Sequence, residues 1–370
     1  MRVAHIIFHL EVGGAELFLH DLVLALAESS LTQHVFCVGP GGPLAAPLAD
    51  AGIPVTALGK RTKLGLATIV RLARALRAFG ADVVQTHGEA GVFWGLPAAR
   101  LAAAPAVSAL IYQNYLETRA KMAASRLLLP RADLVVAGSN AVRGFALGHF
   151  GAHPGRVVTI HNGIRVAALR RERPRLKRAT APRLLTIGRL VARKGHEVAV
   201  RAMPRILALH PEAELRIVGD GPLRPRLEAL VRELGVERHV TLPGTIWPST
   251  PVLAGADLFL FPSLDEPQGL AVLEAFAAGV PVVASRTGGI VEMVEHDVTG
   301  VLVEPGNVEA LAAAVIGLLS DEGRRERLAR RAARRAEEFD IARVAARFER
   351  CYQRLVEPSH RLAAWEALCP

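Results

Sequence analysis

The chain has 370 residues, a formal net charge of +10 and 51% apolar residues. That length holds two domains of ordinary size, each with its own core, and the positive balance favours anionic partners such as phosphates or acidic lipid surfaces. Aromatic residues make up only 5%, with no interleaved Tyr or Trp cluster, which disfavours a nucleic-acid reader.

In chain order, the opening "MRVAHIIFHLEVGG" has an apolar run too short for a secretory segment and meets Glu11 at once. No apolar stretch reaches the length of a membrane span, so a cytoplasmic protein is expected. The cysteines Cys37, Cys351 and Cys369 lack metal-ligand or disulfide spacing, which suits a reducing compartment. Runs rich in Val and Ile ("VAHIIF", "HVFCVG", "DVVQTH", "LVVAGS", "VVTIHNG") alternate with helical stretches such as Glu16 to Glu28 and Ile69 to Phe79. The alternation reads as βα units with buried parallel strands.

It pauses at Val166 to Pro182, which is basic, contains Pro and reads as a linker or exposed loop with nothing to bury. It restarts with "RLLTIG", "ELRIVG", "HVTLPG", "DLFLFPS" and "VPVVAS". The expected organisation is a Rossmann-like domain over 1–165, the linker 166–182 and a second Rossmann-like domain over 183–345. A helical tail over 346–370 can pack back on the first domain. The fold class is α/β, two doubly wound domains facing each other across a cleft, with the site at the carboxyl ends of the strands. The stretch "DEGRRERLARRAARRAEEFDIARVAARFERCYQRLVE" is helical and densely charged, and reads as one or two solvated capping helices.

A nicotinamide-binding fold fails its fingerprint. The first strand runs into Gly13 and Gly14 without the G-x-G-x-x-G spacing, and the second strand, "VFCVGP", does not end on an acidic residue. Paired glycines at a strand-to-helix junction still let a backbone approach an anion. A phosphate-bearing ligand therefore survives.

In the second half, "LLTIGRLVARKGHE" places Arg189 and Lys194 on a turn entering a helix, where two cations suit a diphosphate. Taken alone, such a pair is as readily a solvated basic loop. "VVASRTGGIVEMV" repeats the strand, loop and helix with Gly288 and Gly289. Glu266 and Glu274 stand in the otherwise apolar "EPQGLAVLEAFAAGVPVVAS". A helix starting near Gly269 separates them by ~12 Å at about 1.5 Å per residue, against the roughly 5 to 9 Å of two carboxylates flanking one glycosidic bond. That separation suits two ends of one extended ligand. A carboxylate among apolar neighbours needs hydrogen bonds, which the vicinal hydroxyls of a ribose can supply; backbone groups or an arginine can satisfy it equally.

With "IGRLVARKG", "IVGDGP", "GVPVVASRTGGIVEMVEHDVTGVLVEPGN", "VVTIHNGI" and "GGAE", the E-x7-E pair resembles glycosyltransferase family 4, retaining enzymes of the GT-B fold, from about Val3 to Asn307. The resemblance implies that Glu274 holds the ribose, Arg189 and Lys194 the diphosphate, and Glu266 with Gly269, Leu270 and Ala271 the donor hexose and its phosphate. It implies that Gly14, paired with Gly13, approaches the phosphates from the opposite domain. The turn Leu242, Pro243 and Gly244 would lie against the nucleobase, and His87 would point at the donor sugar. Two departures stand out: Gln85 replaces a frequent histidine two positions before His87, and Gln268 replaces the Phe of E-[GPA]-F-G beside the hexose.

The implied reaction is hexosyl transfer from a nucleotide sugar, UDP- or GDP-linked, to a glycan or lipid-linked acceptor hydroxyl in envelope polysaccharide, lipopolysaccharide or glycolipid synthesis. The anomeric configuration is retained, and the departing phosphate takes the acceptor's proton. No D-x-D motif is present, so no metal and no cofactor are expected, and Arg189, Lys194 and His87 with Glu266 are the candidate catalytic groups. The segment Lys60 to Gly80 sets Arg71, Arg74 and Arg77 beside an apolar face, an arrangement suited to peripheral contact with an anionic membrane. Two rivals remain: a sugar-nucleotide 2-epimerase of the same architecture, and a silent nucleotide-sugar-binding subunit.

Overall fold

The structure, a computed structural model, describes residues 1–60, 65–88, 91–110, 119–171 and 181–357. The chain forms two compact units, Met1–Gly163 with the segment from Ile341 onward, and Ile164–Asp340.

The first unit is built on a seven-stranded parallel sheet in the order β3-β2-β1-β4-β5-β6-β7. Its strands are β1 Arg2–Ile7, β2 Thr32–Cys37, β3 Val55–Ala57, β4 Val83–His87, β5 Ala106–Leu110, β6 Leu134–Ala137 and β7 Val157–Thr159. All five residues of β4 and all four of β6 are buried, as expected of strands covered on both faces. The second unit has a six-stranded parallel sheet in the order β10-β9-β8-β11-β12-β13. These are β8 Arg183–Ile187, β9 Glu214–Val218, β10 Val240–Gly244, β11 Leu258–Phe261, β12 Val282–Ser285 and β13 Val301–Val303.

In each sheet the strand order reverses once, between β1 and β4 and between β8 and β11. Connections on the two sides of such a reversal leave on opposite faces, which opens a crevice beyond the carboxyl ends of those strands. The ends of β1, β4, β8 and β11 and the segments after them are where the sequence places Gly13, Gly14, His87, Arg189, Lys194 and Glu266.

Two readings of the chain change. The stretch read as a linker begins with a helix, Val166–Arg171, whose Val166 and Leu169 are 4% and 7% exposed in the core of the second unit. Their spacing of three residues puts both on one helical face. The rest of that stretch, 172–180, lies outside the described residues. The charged C-terminal stretch is not simply solvated either. The helix Glu322–Ala336 buries Leu328, Ala332 and Ala336, and the helix Ile341–Val356 buries Val344, Phe348, Cys351, Tyr352 and Leu355. That stripe, at helical spacing beneath the arginines, packs on the helix Gly14–Leu26, with Phe348 beside Phe18 at 6.0 Å between ring centres.

Candidate functional site

In the second unit, three loops meet at the carboxyl edge of the sheet, and glycines let them touch. After β8, the turn through Ala192–Lys194 ends at Gly195, whose φ is +62°; a Cβ there would stand 2.0 Å from the Pro262 carbonyl oxygen of the loop after β11. The Leu264 amide donates to the Arg193 carbonyl at 2.7 Å, which completes the join. After β12, Gly288 has φ +49° and would set a Cβ 1.9 Å from the Glu266 carbonyl oxygen, while the Gly289 amide donates to that oxygen at 3.0 Å. His196, 4% exposed, contacts the Arg189 carbonyl through Nε2 at 3.2 Å. Its burial pushes its pKa down to about 4 against the hydrogen bond to that carbonyl, so the ring is neutral and pins the basic turn from beneath.

Within this frame Lys194 and Glu266 form an ion pair, with the carboxylate 5% exposed. Ser263 Oγ donates to Glu266 Oε2 at 3.3 Å, and Lys194 Nζ lies 5.2 Å from the centre of the Phe261 ring. Arg189 is on the same turn, exposed, and its guanidinium has no hydrogen-bond or ion-pair partner among the described residues. Gly269, φ +89°, caps the helix Leu270–Ala277, with Gln268 2% exposed behind it and Leu270 and Ala271 in the first turn. Glu274 lies on this helix, half-buried, and accepts a hydrogen bond from Ser249 Oγ at 2.9 Å. A partly sequestered carboxylate needs such a donor, and here a serine contributes it.

Leu242, Pro243 and Gly244 are not a free turn but the irregular end of β10, where the register with β9 shifts between Thr241 and Gly244. The Gly219 amide donates to the Gly244 carbonyl at 2.9 Å and Arg224 to the Leu242 carbonyl at 3.0 Å, so this edge is fixed by neighbours.

In the first unit, Gly13 caps the helix Gly14–Leu26 in an extended conformation, and Gly14 is exposed. The helix already carries an acid in its first turn: Glu16, which pairs with His9 at 3.5 Å. His87 ends β4 and is 1% exposed, with Nε2 3.3 Å from His5 Nδ1. His5 Nε2 lies 3.2 Å from Gln33 Oε1, and Gln33 Nε2 donates to the Val23 carbonyl at 3.0 Å. Burial pushes the His5 pKa down to about 4, and burial reinforced by the His5 ring holds His87 well below the ordinary imidazole range. Gln85 is fully buried and accepts from Tyr352 on the C-terminal helix at 3.2 Å, so the position that departs from the family pattern anchors that helix.

The basic segment is a helix over Leu66–Phe79, residues 61–64 lying outside the described residues. Its apolar side is not available as a surface: Leu72, Ala73 and Leu76 belong to the core of the first unit. Arg71 donates to the Leu58 carbonyl at 3.1 Å and Arg77 to the Leu101 carbonyl. Leu66 and Val70, 78% and 42% exposed, are the apolar side chains left beside the arginines. None of the helices among the described residues is long and apolar enough to cross a membrane. Among those residues no group of three or more His, Cys, Asp or Glu could hold a metal ion.

Ser249, Ser263, His5 and Gln33 escaped the sequence reading. His5 left a signal, a polar residue inside the apolar run "VAHIIF". The serines left none: Ser249 acts through a carboxylate 25 residues away, and Ser263, three residues before Glu266, has nothing in its own surroundings to mark it.

Two family models match the chain: Glycosyltransferase Family 4 over residues 12–168 and Glycosyl transferases group 1 over residues 170–335. An uncharacterized glycosyltransferase of Methanocaldococcus jannaschii is 43% identical over 145 residues, covering 39% of this chain and 37% of the relative. The D-inositol 3-phosphate glycosyltransferase of Rhodococcus jostii is 33% identical over 278 residues, 68% of this chain and 60% of the relative. The matches thus span 37% and 60% of these relatives' own length, less than two thirds of each. Among solved structures, HepE of Anabaena in complex with UDP and glucose superposes with a TM-score of 0.84 at 24% identity, covering 95% of this chain and 99% of that one. At that identity the likeness establishes the fold, which is GT-B.

Proposed function

Because the chain belongs to the group 1, family 4 glycosyltransferases, we propose that it transfers a hexosyl group from a nucleoside-diphosphate sugar to a hydroxyl of a glycan or lipid-linked acceptor, with retention and without a metal ion. The observation that carries this reading is the meeting, at the β8/β11 reversal, of Lys194, Arg189 and Glu266 with the start of the helix that holds Glu274. The binding of UDP and glucose by the HepE structure supports a nucleotide sugar as donor.

The chemistry follows from the charges. The anomeric C–O bond to the diphosphate breaks, negative charge grows on the leaving oxygen, and the new bond forms to the acceptor oxygen. The acceptor's proton passes to the departing phosphate. Fixed cations aimed at the leaving group stabilise that charge, the role assigned to Arg189 and Lys194. Lys194 is matched by Glu266 in the structure described. A diphosphate draws Lys194 to itself and frees Glu266 to accept from a sugar hydroxyl, so one exchange of partners readies both groups. Glu274, already held by Ser249, takes the ribose hydroxyls. In this reading peripheral contact with an anionic membrane runs through Leu66, Val70 and the neighbouring arginines, and sedimentation with anionic vesicles tests it; no binding sinks that part alone.

The central test is thermal unfolding with UDP-, GDP- and ADP-sugars, without metal and again with chelator. One donor is expected to raise Tm progressively with its concentration, the added stability reaching about 2.7 kcal/mol at a hundredfold excess over Kd. Glu274→Ala and Lys194→Ala should abolish the rise. No rise with any donor overturns the reading. Anomeric analysis of the product decides retention, and free epimer without transfer would identify a 2-epimerase instead.

A further inference from the structure

The buried chain that ends on His87 has a direction. The Val23 carbonyl can only accept, so the Gln33 amide group that faces it is the NH2, as the 3.0 Å contact from Nε2 records. Gln33 Oε1 is thereby turned to His5 Nε2, 3.2 Å away, and this ring nitrogen must carry the proton. A neutral imidazole holds one proton, so His5 Nδ1 is a bare lone pair. His87 Nε2, 3.3 Å from it, must then be the N–H donor. His87 Nδ1 is left unprotonated, fully buried and without a hydrogen-bond partner among the described residues.

We infer that His5 and Gln33 are positioning residues that lock His87 in the Nε2–H tautomer, so that its Nδ1, at the carboxyl end of β4, is available to a ligand only as a hydrogen-bond acceptor. The ligand group that fits is a hydroxyl, which can donate. A phosphate oxygen or carboxylate, which can only accept, is refused by the same lone pair. This rests on the glycosyl-transfer reading for the identity of the hydroxyl as a sugar's, but the tautomer itself does not depend on that reading. Neither ring is an imidazolium that could act as a general acid at neutral pH: both are fully buried, and burial holds both neutral. The chain also explains how two imidazoles can share a buried site: His87 donates its Nε2 proton to the bare His5 Nδ1, and His5 donates its own to Gln33 Oε1.

The ring nitrogens can be read directly. Nitrogen-15 labelled histidine in the full-length protein, observed through two-bond nitrogen–proton correlations at neutral pH, separates protonated from bare nitrogens; His5→Gln and His87→Asn assign the two rings. Both rings are expected with the proton on Nε2 and a bare Nδ1. A His87 ring carrying its proton on Nδ1, or charged, overturns the inference without any variant.

Gln33→Leu removes the acceptor, and the single pattern of His87 should give way to a mixture. Gln33→Glu, protonated so that it still donates to the Val23 carbonyl while its other oxygen faces His5, should preserve it. A folded Gln33→Leu with an unchanged His87 pattern overturns the role of Gln33. Loss of one hydrogen-bond orientation is worth about fivefold in kcat/KM, so Gln33→Leu should transfer about fivefold more slowly while its stabilisation by the nucleoside diphosphate alone is unchanged. A scrambled tautomer with wild-type kcat/KM overturns the functional half. Should the wild-type protein turn over no nucleotide sugar, the transferase reading falls while the spectra still decide the tautomer.

Discussion

The two units handle buried polarity in opposite ways. At the edge of the second sheet a full positive and a full negative charge, Lys194 and Glu266, are held together, and the loops that carry them are clamped through glycines. Around His87 in the first sheet the buried polar groups are neutral: two imidazoles, two amides and a phenol, ordered by the direction of their hydrogen bonds. Charge pairs store strong interaction that a ligand can redirect, whereas a neutral network stores orientation. A diphosphate needs the first kind of site and a sugar hydroxyl the second.

The contrast breaks most sharply at Lys194. Lys194→Met should strand a nearly buried carboxylate and cost about 3–5 kcal/mol of stability in denaturant melts. Adding Glu266→Gln should return most of that stability but none of the donor-induced rise in Tm. If the double variant still responds to donor, the pair is structural and the second unit's site lies elsewhere.

Acid probes the neutral kind of burial in both units. His5 and His196 are pushed down to about 4 by burial, from an ordinary 6.5. Below pH 6.5 the unfolded chain takes up a proton that the fold refuses. Stability therefore falls as pH drops from 6.5 toward 4, by about 1.4 kcal/mol per pH unit for each ring, reaching about 3 kcal/mol each. Denaturant midpoints measured across that window check it; a flat profile would mean that the rings are already charged and the neutral network does not exist.

The clamps rank next. Gly195→Ala puts a methyl group into the Pro262 carbonyl at a positive φ, and about 1–3 kcal/mol should be lost, together with donor response, because the basic turn must lift off the loop after β11. Gly41→Ala, where a Cβ meets nothing within 4 Å, is the control. The smallest effect belongs to Tyr352→Phe, which leaves Gln85 Oε1 without its recorded donor and should cost about 1 kcal/mol in the same melts.

The fold was legible where burial on both faces writes long apolar runs, as in β4, β6 and β11, and the donor-site candidates were legible because charged residues interrupt such runs. Glu266 and Glu274 stood out for that reason. Less was visible where polarity hides packing. The C-terminal helix showed its arginines, while the stripe Val344, Phe348, Tyr352 and Leu355 that it buries lay beneath them. The helix at Val166 was masked by its basic neighbours. Pairings between distant strands, such as His5 with Gln33 and His87, cannot be read along the chain, because only the parallel register brings the three side chains to one face.

The return of the chain to its first unit has a consequence for biosynthesis. Residues 1–163 are made early, yet the helix that covers Phe18 and donates to Gln85 begins only at Ile341, after the whole second unit. At about 5–20 residues per second, the first sheet waits on the order of ten seconds or more on the ribosome with that face uncovered. The second unit, contiguous from Ile164 to Asp340, can close as soon as it emerges. The half of the protein that is translated first is therefore finished last, and its exposed face is the natural place for a chaperone to hold a nascent chain.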